Sequence, residues 1–296
     1  MSICVKYNLN NKNYIKYDSF FSGILDYHDI VHIICPNNQL TSLPSILPKS
    51  LINFGCSDNE LKFISKLPNL LQKVNCSRNC LIELPKLPNG LLELYCSENK
   101  LSKLPELPNG LKKLYCQHNK LTTLPKLTKL IRTLMCDHNQ LTELPELPNK
   151  LIKINCSYNQ LISLREFPNS LRIIWCCSNY LDKLPILPNK LIKFGCGDNK
   201  LKILPKLPIS LRELYCNHNQ LTSLPKLPIG LIELYCNNNQ LTSLPKLPNG
   251  LIKLNCNHNQ LTSLPEFPNS LNYIICSNNK LIKNIQYKHK YLYKII

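Results

Sequence analysis

Along most of the chain apolar and polar positions recur with a fixed period of 20 residues, and within each period two different patterns follow one another. In the stretch Leu91-Leu92-Glu93-Leu94-Tyr95-Cys96, positions 94 and 96 fall on one face and positions 93 and 95 on the other, the period-two pattern of a half-buried strand. The stretch that follows, Leu104-Pro105-Glu106-Leu107-Pro108, carries two prolines three residues apart. Each proline lacks a donor and clashes with a preceding helical turn, so this half reads as extended, polyproline-like chain. Stacking such units places the short strands side by side in a parallel sheet. The Leu, Ile and Phe columns, for example Leu91, Leu94, Leu101, Leu104 and Leu107, then converge on a continuous core that no single unit can bury.

The period is strict. Cysteine stands at 56, 76, 96, 116, 136, 156, 176, 196, 216, 236, 256 and 276, each followed three residues later by Asn, from Asn59 to Asn279, and five later by Leu, from Leu61 to Leu281. A shifted copy precedes them at Ile30, Ile33, Cys35, Asn38 and Leu40, with one extra residue between Leu43 and Leu51. The unit L-x-x-L-x-C-x-x-N-x-L followed by x-x-L-P-x-L-P resembles the leucine-rich repeat, over roughly residues 30–284. Its 20-residue length and L-P-x-L-P half resemble the subclass found in bacterial type III effectors. The composition and cysteine column are similar to leucine-rich repeat proteins of giant DNA viruses such as mimivirus.

The fold this implies is mainly β: a leucine-rich repeat solenoid with a parallel β-sheet on the concave face and extended or polyproline segments on the convex face. Residues 1–29 are expected to form an N-terminal cap. There Ile3–Tyr7 and Tyr14–Tyr17 flank an Asn-rich segment and read as a β-hairpin. Residues 19–29 read equally as a short helix or a degenerate repeat. The array of about 13 units runs over 30–284. Residues 285–296 form a basic C-terminal cap or tail, in which Ile285, Leu292 and Ile295, with Ile282 just before them, can cover the last unit.

Composition adds less. Lys and Arg outnumber Asp and Glu by 36 to 18, a formal charge of +18. This basic surface admits an acidic partner. Alanine is absent, which points to a biased genome rather than a chemical need. Lys6, Lys12 and Lys16 and the interruption of Ile30–Cys35 by His32 give no signal peptide or membrane span, so the chain is expected to be intracellular, in the cytoplasm of a host cell if viral. In that compartment its 16 cysteines are not expected to be disulfide-bonded.

Cysteine–histidine pairs two residues apart, Cys116/His118, Cys136/His138, Cys216/His218 and Cys256/His258, invite a zinc reading. Cysteine faces the core and the position two later faces solvent, so one ion cannot easily take both; the column reads as a small hydrophobe, and no metal or cofactor is expected. The family pattern assigns Asn99 and its equivalents to backbone groups at the turn leaving the strand. Cys177, off the column beside Trp175, is expected to be exposed; no base accompanies it, and with no phosphate loop and no carboxylate pair outside the lattice, no catalytic residue is assigned.

Repeat scaffolds bind through the variable outward positions of their strands. One such column reads Tyr95, Tyr115, Met135, Asn155, Trp175, Gly195, Tyr215, Tyr235 and Asn255, and exposed aromatics are typical interface anchors. The partner-binding residues are taken as Tyr95, Tyr115, Arg132, Met135, His138, Lys153, Tyr158, Arg172, Trp175, Tyr215 and Tyr235, with the patch centred between Arg132 and Trp175. The competing view is that duplication copied these residues without any contact role. The function expected is a non-enzymatic scaffold that binds a protein partner on its concave face, a viral protein engaging host proteins if the viral resemblance holds. One alternative is a basic nucleic-acid-binding surface, against which Glu93, Glu213 and Glu233 interrupt the basic columns. Another, implied by the effector resemblance, is a substrate-recognition adaptor for a ubiquitin ligase supplied in trans, since only the segment 280–296 follows Asn279.

Overall fold

The structure is a computed structural model that describes residues 3–7, 15–17 and 29–281. The alternatives weighed for 19–28 and the basic tail 285–296 lie outside the described residues. The chain divides into two compact units, residues 1–151 and 152–296.

In the first unit β1 (Ile3–Tyr7) pairs antiparallel with β2 (Ile15–Tyr17) and, on its other side, with β3 (Ile30–Ile34). This occupies the outer edge of the first repeat strand, which would otherwise expose a row of unpaired backbone groups. From β3 onward the pairing is parallel, through β4 (Asn53–Gly55), β5 (Lys73–Asn75), β6 (Glu93–Tyr95), β7 (Lys113–Tyr115) and β8 (Thr133–Met135). The second unit repeats the parallel arrangement with β9 (Lys153–Asn155), β10 (Ile173–Trp175), β11 (Lys193–Gly195), β12 (Glu213–Tyr215), β13 (Glu233–Tyr235), β14 (Lys253–Asn255) and β15 (Tyr273–Ile275). The described residues contain no helix. Each unit is thus a leucine-rich repeat solenoid, with a parallel sheet along one side and extended segments opposite.

Register holds at 20 residues per step, so each column is a physical row: Glu93 faces Lys113, Leu94 faces Leu114 and Tyr95 faces Tyr115. Leu91, Leu94 and Leu101 are fully buried, and Leu104 and Leu107 nearly so. Burying each such side chain is worth about 1.5–3 kcal/mol. The L-P-x-L-P half reaches the core with its leucines while its prolines remove backbone donors that would need partners. Leu111 N donates to Pro108 O at 3.0 Å and closes the turn back toward the next strand.

The asparagine column stitches the layers together. Asn99 Nδ2 lies 3.0 Å from the carbonyl of Cys76 in the preceding repeat, and 3.2 and 3.1 Å from those of Cys96 and Ser97 in its own. Its Oδ1 accepts from Leu81 N at 3.0 Å. The same set recurs at Asn119, and in the second unit at Asn219 and Asn239. An amide supplies both donors and an acceptor at one site, which neither an acid nor an apolar side chain does.

The residue before each of these asparagines has a positive φ between 50° and 57°, from Asp58 to Asn278. Asn, Asp and His tolerate this region better than other non-glycine residues, and they fill eight of the twelve positions. Backbone geometry therefore favours histidine at this position. The cysteine column is fully or almost fully buried from Cys35 to Cys276. Several of its thiols also act as weak donors across the repeat, as Cys176 Sγ does to Gly195 O at 3.3 Å. Burial pushes the Cys76 and Cys216 thiols up to about 12, so thiolate is scarce at neutral pH.

Two outcomes follow. Asn99→Asp keeps the shape but removes both donors and sets a carboxylate against three carbonyls; it is expected to lower stability to urea by about 3 kcal/mol or more, and an unchanged midpoint would contradict the stitching role. A thiol-reactive chromophore is expected to label all 16 cysteines after denaturation without reductant but only Cys4, Cys80 and Cys177, which are not fully buried, in the folded chain.

Candidate functional site

The outward strand positions carry aromatic residues, and the sheet sets them one strand apart. In the first unit the rings of Tyr95 on β6 and Tyr115 on β7 stack with centroids 4.7 Å apart at 21°. Tyr95 Oη donates to Glu93 Oε2 at 2.9 Å, while Lys113 Nζ lies 2.8 Å from Glu93 Oε1 and Lys73 Nζ lies 3.7 Å from Oε2. Lys73 also sits 5.3 Å from the Tyr95 ring centroid, within cation–π range. Burial and the bond to Glu93 push the Tyr95 phenol up to about 12. Burial works to raise Glu93, but the bonds from Lys113 and Tyr95 outweigh it and hold the carboxyl below its usual range.

The second unit builds a longer version. Tyr215 and Tyr235 stack at 4.9 Å and 10°, and Trp175 meets Tyr215 at 5.1 Å and 46° although Gly195 stands between them in the register. A Cβ at Gly195 would come within 2.1 Å of Trp175 Cε3, so the indole lies in the space a side chain there would fill. Glycine at this step is what lets one ring span two repeats. Tyr215 Oη donates to Glu233 Oε2 at 2.9 Å. Glu213 and Glu233 are direct neighbours across β12 and β13, a destabilising like-charge pair; Lys193 at 2.7 Å and Lys253 at 2.9 Å offset it.

The sequence-predicted residues fall into both units. Tyr95, Tyr115, Arg132, Met135 and His138 belong to the first, and Lys153, Tyr158, Arg172, Trp175, Tyr215 and Tyr235 to the second. Arg132, Arg172 and Tyr158 are exposed. The aromatic column differs from expectation: Tyr95, Tyr115, Trp175, Tyr215 and Tyr235 are half-buried, because each ring covers its neighbour. Cys177 also differs. It is only partly accessible, lies against the Trp175–Gly195 contact, and burial pushes its thiol up, away from nucleophilic character.

Sequence reasoning missed that Gly195 belongs to the aromatic feature rather than interrupting it; a glycine between two aromatics 20 residues to either side was the available signal. It named His118 and His138 but did not join them with Asp137, although ligand atoms of the three lie within 4.8 Å of one another. Adjacent histidines one period apart, with the acid beside the second, marked that cluster in the sequence.

Uniform repeats, a parallel strand ladder and the amide column define a leucine-rich repeat protein. Among solved structures the chain is similar to YopM of Yersinia pestis, described as a leucine-rich effector protein, at 32% identity and TM-score 0.69, with 84% of each chain covered. It is similar to YopM of Yersinia enterocolitica WA-314 at 35% identity and TM-score 0.70, covering 83% of this chain and spanning 64% of that one. The chain belongs to the leucine-rich repeat family, with repeats similar to those of these effectors. A chain in the octameric complex of Latrophilin 3, Unc5D and FLRT2 shares the fold alone, at 22% identity and TM-score 0.63 over 82% of this chain and 89% of that one. No protein-family profile matches the sequence, and no curated protein does.

Trp175 is the only tryptophan, so its emission reports on this site alone. Gly195→Ala is expected to shift that emission to longer wavelength and to cost about 1–3 kcal/mol by overpacking; unchanged emission and stability would show that the indole does not rest on Gly195.

Proposed function

We propose that the chain is a non-enzymatic scaffold that binds a protein partner through the outward strand positions of its sheet. The observation that carries this reading is the Trp175–Tyr215–Tyr235 ladder: three large rings held in place before any partner arrives, flanked by the ion pairs Lys193–Glu213 and Lys253–Glu233. Rings already fixed by stacking lose little freedom on binding, and aromatic clusters with a charged rim are where interface energy concentrates. Tyr95 and Tyr115, with Glu93 and Lys113, repeat the design in the first unit. Arg132, Met135 and His138 there, and Lys153, Tyr158 and Arg172 in the second, complete the proposed contact set. The solved FLRT2 complex is an instance of this fold working within a protein assembly.

An intracellular setting fits a cysteine column used as small buried apolar side chains. No helix among the described residues is long and apolar enough to cross a membrane. The finer reading, a viral chain engaging host proteins, is supported by the lack of alanine and the cysteine column. A nucleic-acid surface draws on the charge of +18, but on the sheet side Lys113, Lys193 and Lys253 are already paired with acids.

Trp175→Ala removes an outward, half-buried ring and is expected to leave the far-ultraviolet circular dichroism unchanged. Quantitative affinity capture from the native cell should then show at least one protein retained by the wild type and weakened by about 2 kcal/mol, roughly 30-fold, in the variant. Equal capture by both would remove Trp175 from the site, and retention only of nucleic acid, weakening steeply with salt, would replace this reading by the nucleic-acid one.

A further inference from the structure

Four histidines occupy the left-handed position at the strand exits: His118, His138, His218 and His258. Two of them face an asparagine one repeat on. Asn238 Nδ2 lies 3.2 Å from His218 Nε2, and Asn278 Nδ2 lies 2.9 Å from His258 Nε2. An amide nitrogen only donates, so each of those ring nitrogens is an acceptor already engaged.

The first unit differs. There two histidines fall in consecutive repeats, and their rings stack with centroids 4.0 Å apart at 18°. The position before His138 is Asp137, where the other repeats place Ser, Gln, Cys, Gly or Asn. Asp137 is only 8% exposed. Its Oδ2 lies 3.0 Å from His138 Nδ1, and its Oδ1 is buried with no hydrogen-bond partner among the described residues. A buried, unsatisfied carboxylate oxygen is costly, and a bound ion is one of the few things that relieves it.

We propose that His118, Asp137 and His138 form a binding site for one divalent transition-metal ion of the zinc class, at the strand exits and sharing His138 with the proposed contact set. Two imidazoles and a carboxylate are a donor set that zinc, cobalt and nickel accept, with water completing the shell on the open side. One donor atom from each residue already lies within 4.8 Å of the others. Around a tetrahedral ion at ordinary bond lengths donors stand about 3.4 Å apart, a gap that the exposed His118 can close by side-chain rotation. Asp137 Oδ2 and His138 Nδ1, 3.0 Å apart, already stand near that spacing, so an ion bound between them would take the place of the shared proton. The neighbouring Cys116 does not compete: it is fully buried, and burial pushes its thiol up.

The test uses the full chain, stripped by chelator and kept reduced, with Co2+ alone as the probe. The expected result is one Co2+ per chain, with the visible absorption of nitrogen and oxygen ligands and without the near-ultraviolet charge transfer of a thiolate. His118→Ala and Asp137→Asn should each weaken binding at least tenfold, while His218→Ala, which alters the same column in the second unit, should bind as the wild type does. His118 is exposed, so its variant keeps the test decisive if Asp137→Asn does not fold. No saturable Co2+ binding, undiminished binding by His118→Ala, or a thiolate charge-transfer band would each overturn the site.

Discussion

Everything in this molecule depends on one polar side chain meeting backbone groups of two layers at once. The amide of each column asparagine gathers carbonyls of its own turn and of the preceding repeat, and its oxygen takes a leucine N–H from that same neighbour. Hydrophobic burial holds the layers together but is indifferent to register, since leucine against leucine is equally good one step along. The amide is not indifferent, because its acceptors are fixed in number and place. Leaving buried backbone groups unpaired costs about 1–3 kcal/mol each, so a slipped layer is penalised at every repeat.

This constraint divides the twenty positions into those the lattice owns and those it leaves open. Leucine, cysteine and asparagine columns are set by the core and the amide. The residue before each asparagine is restricted by its positive φ, which is why Asn, Asp and His crowd there. The outward strand positions are the most open, and along them the sheet turns a sequence column into a row of touching side chains. Tyr95 can stack on Tyr115 because the fold places them one strand apart, with no residue chosen to bring them together. Such rows are cheap for a repeat protein to make, and they yield rigid features without a dedicated supporting shell.

The architecture was legible in the sequence because it is written many times over: the alternation in Leu94-Tyr95-Cys96 and the prolines at 105 and 108 leave little choice of local structure. The inward cysteines followed from the same alternation. The condition of the aromatic column did not. Periodicity assigns Tyr215 and Trp175 to the outward face, but how far they are covered depends on contacts between repeats, and there glycine at 195 decides the outcome by giving the indole room. Cys177 departs from expectation for the same reason, since its sulfur borders the space at Gly195 that the indole enters. The histidines were weighed against cysteines nearby in sequence, whereas the neighbours that matter in a stacked array are one period away.

The unequal treatment of like residues in one column argues that the outward rows are more than copies of an ancestral unit. Glu213 and Glu233 stand side by side, an arrangement the lattice does not require and that costs energy. It persists with Lys193 and Lys253 on either side and with the Tyr215 hydroxyl donating to the second carboxylate. In the first unit a single Glu93 is held between Lys73 and Lys113, and Tyr95 donates to this carboxylate of its own strand. Two different charge patterns thus converge on one physical result, a tyrosine whose ring is stacked and whose hydroxyl is anchored. Simple copying of a unit would reproduce the residues; here the residues differ while the fixed ring is kept. That is the property a binding surface needs, because a ring held still before contact surrenders less entropy when the contact forms.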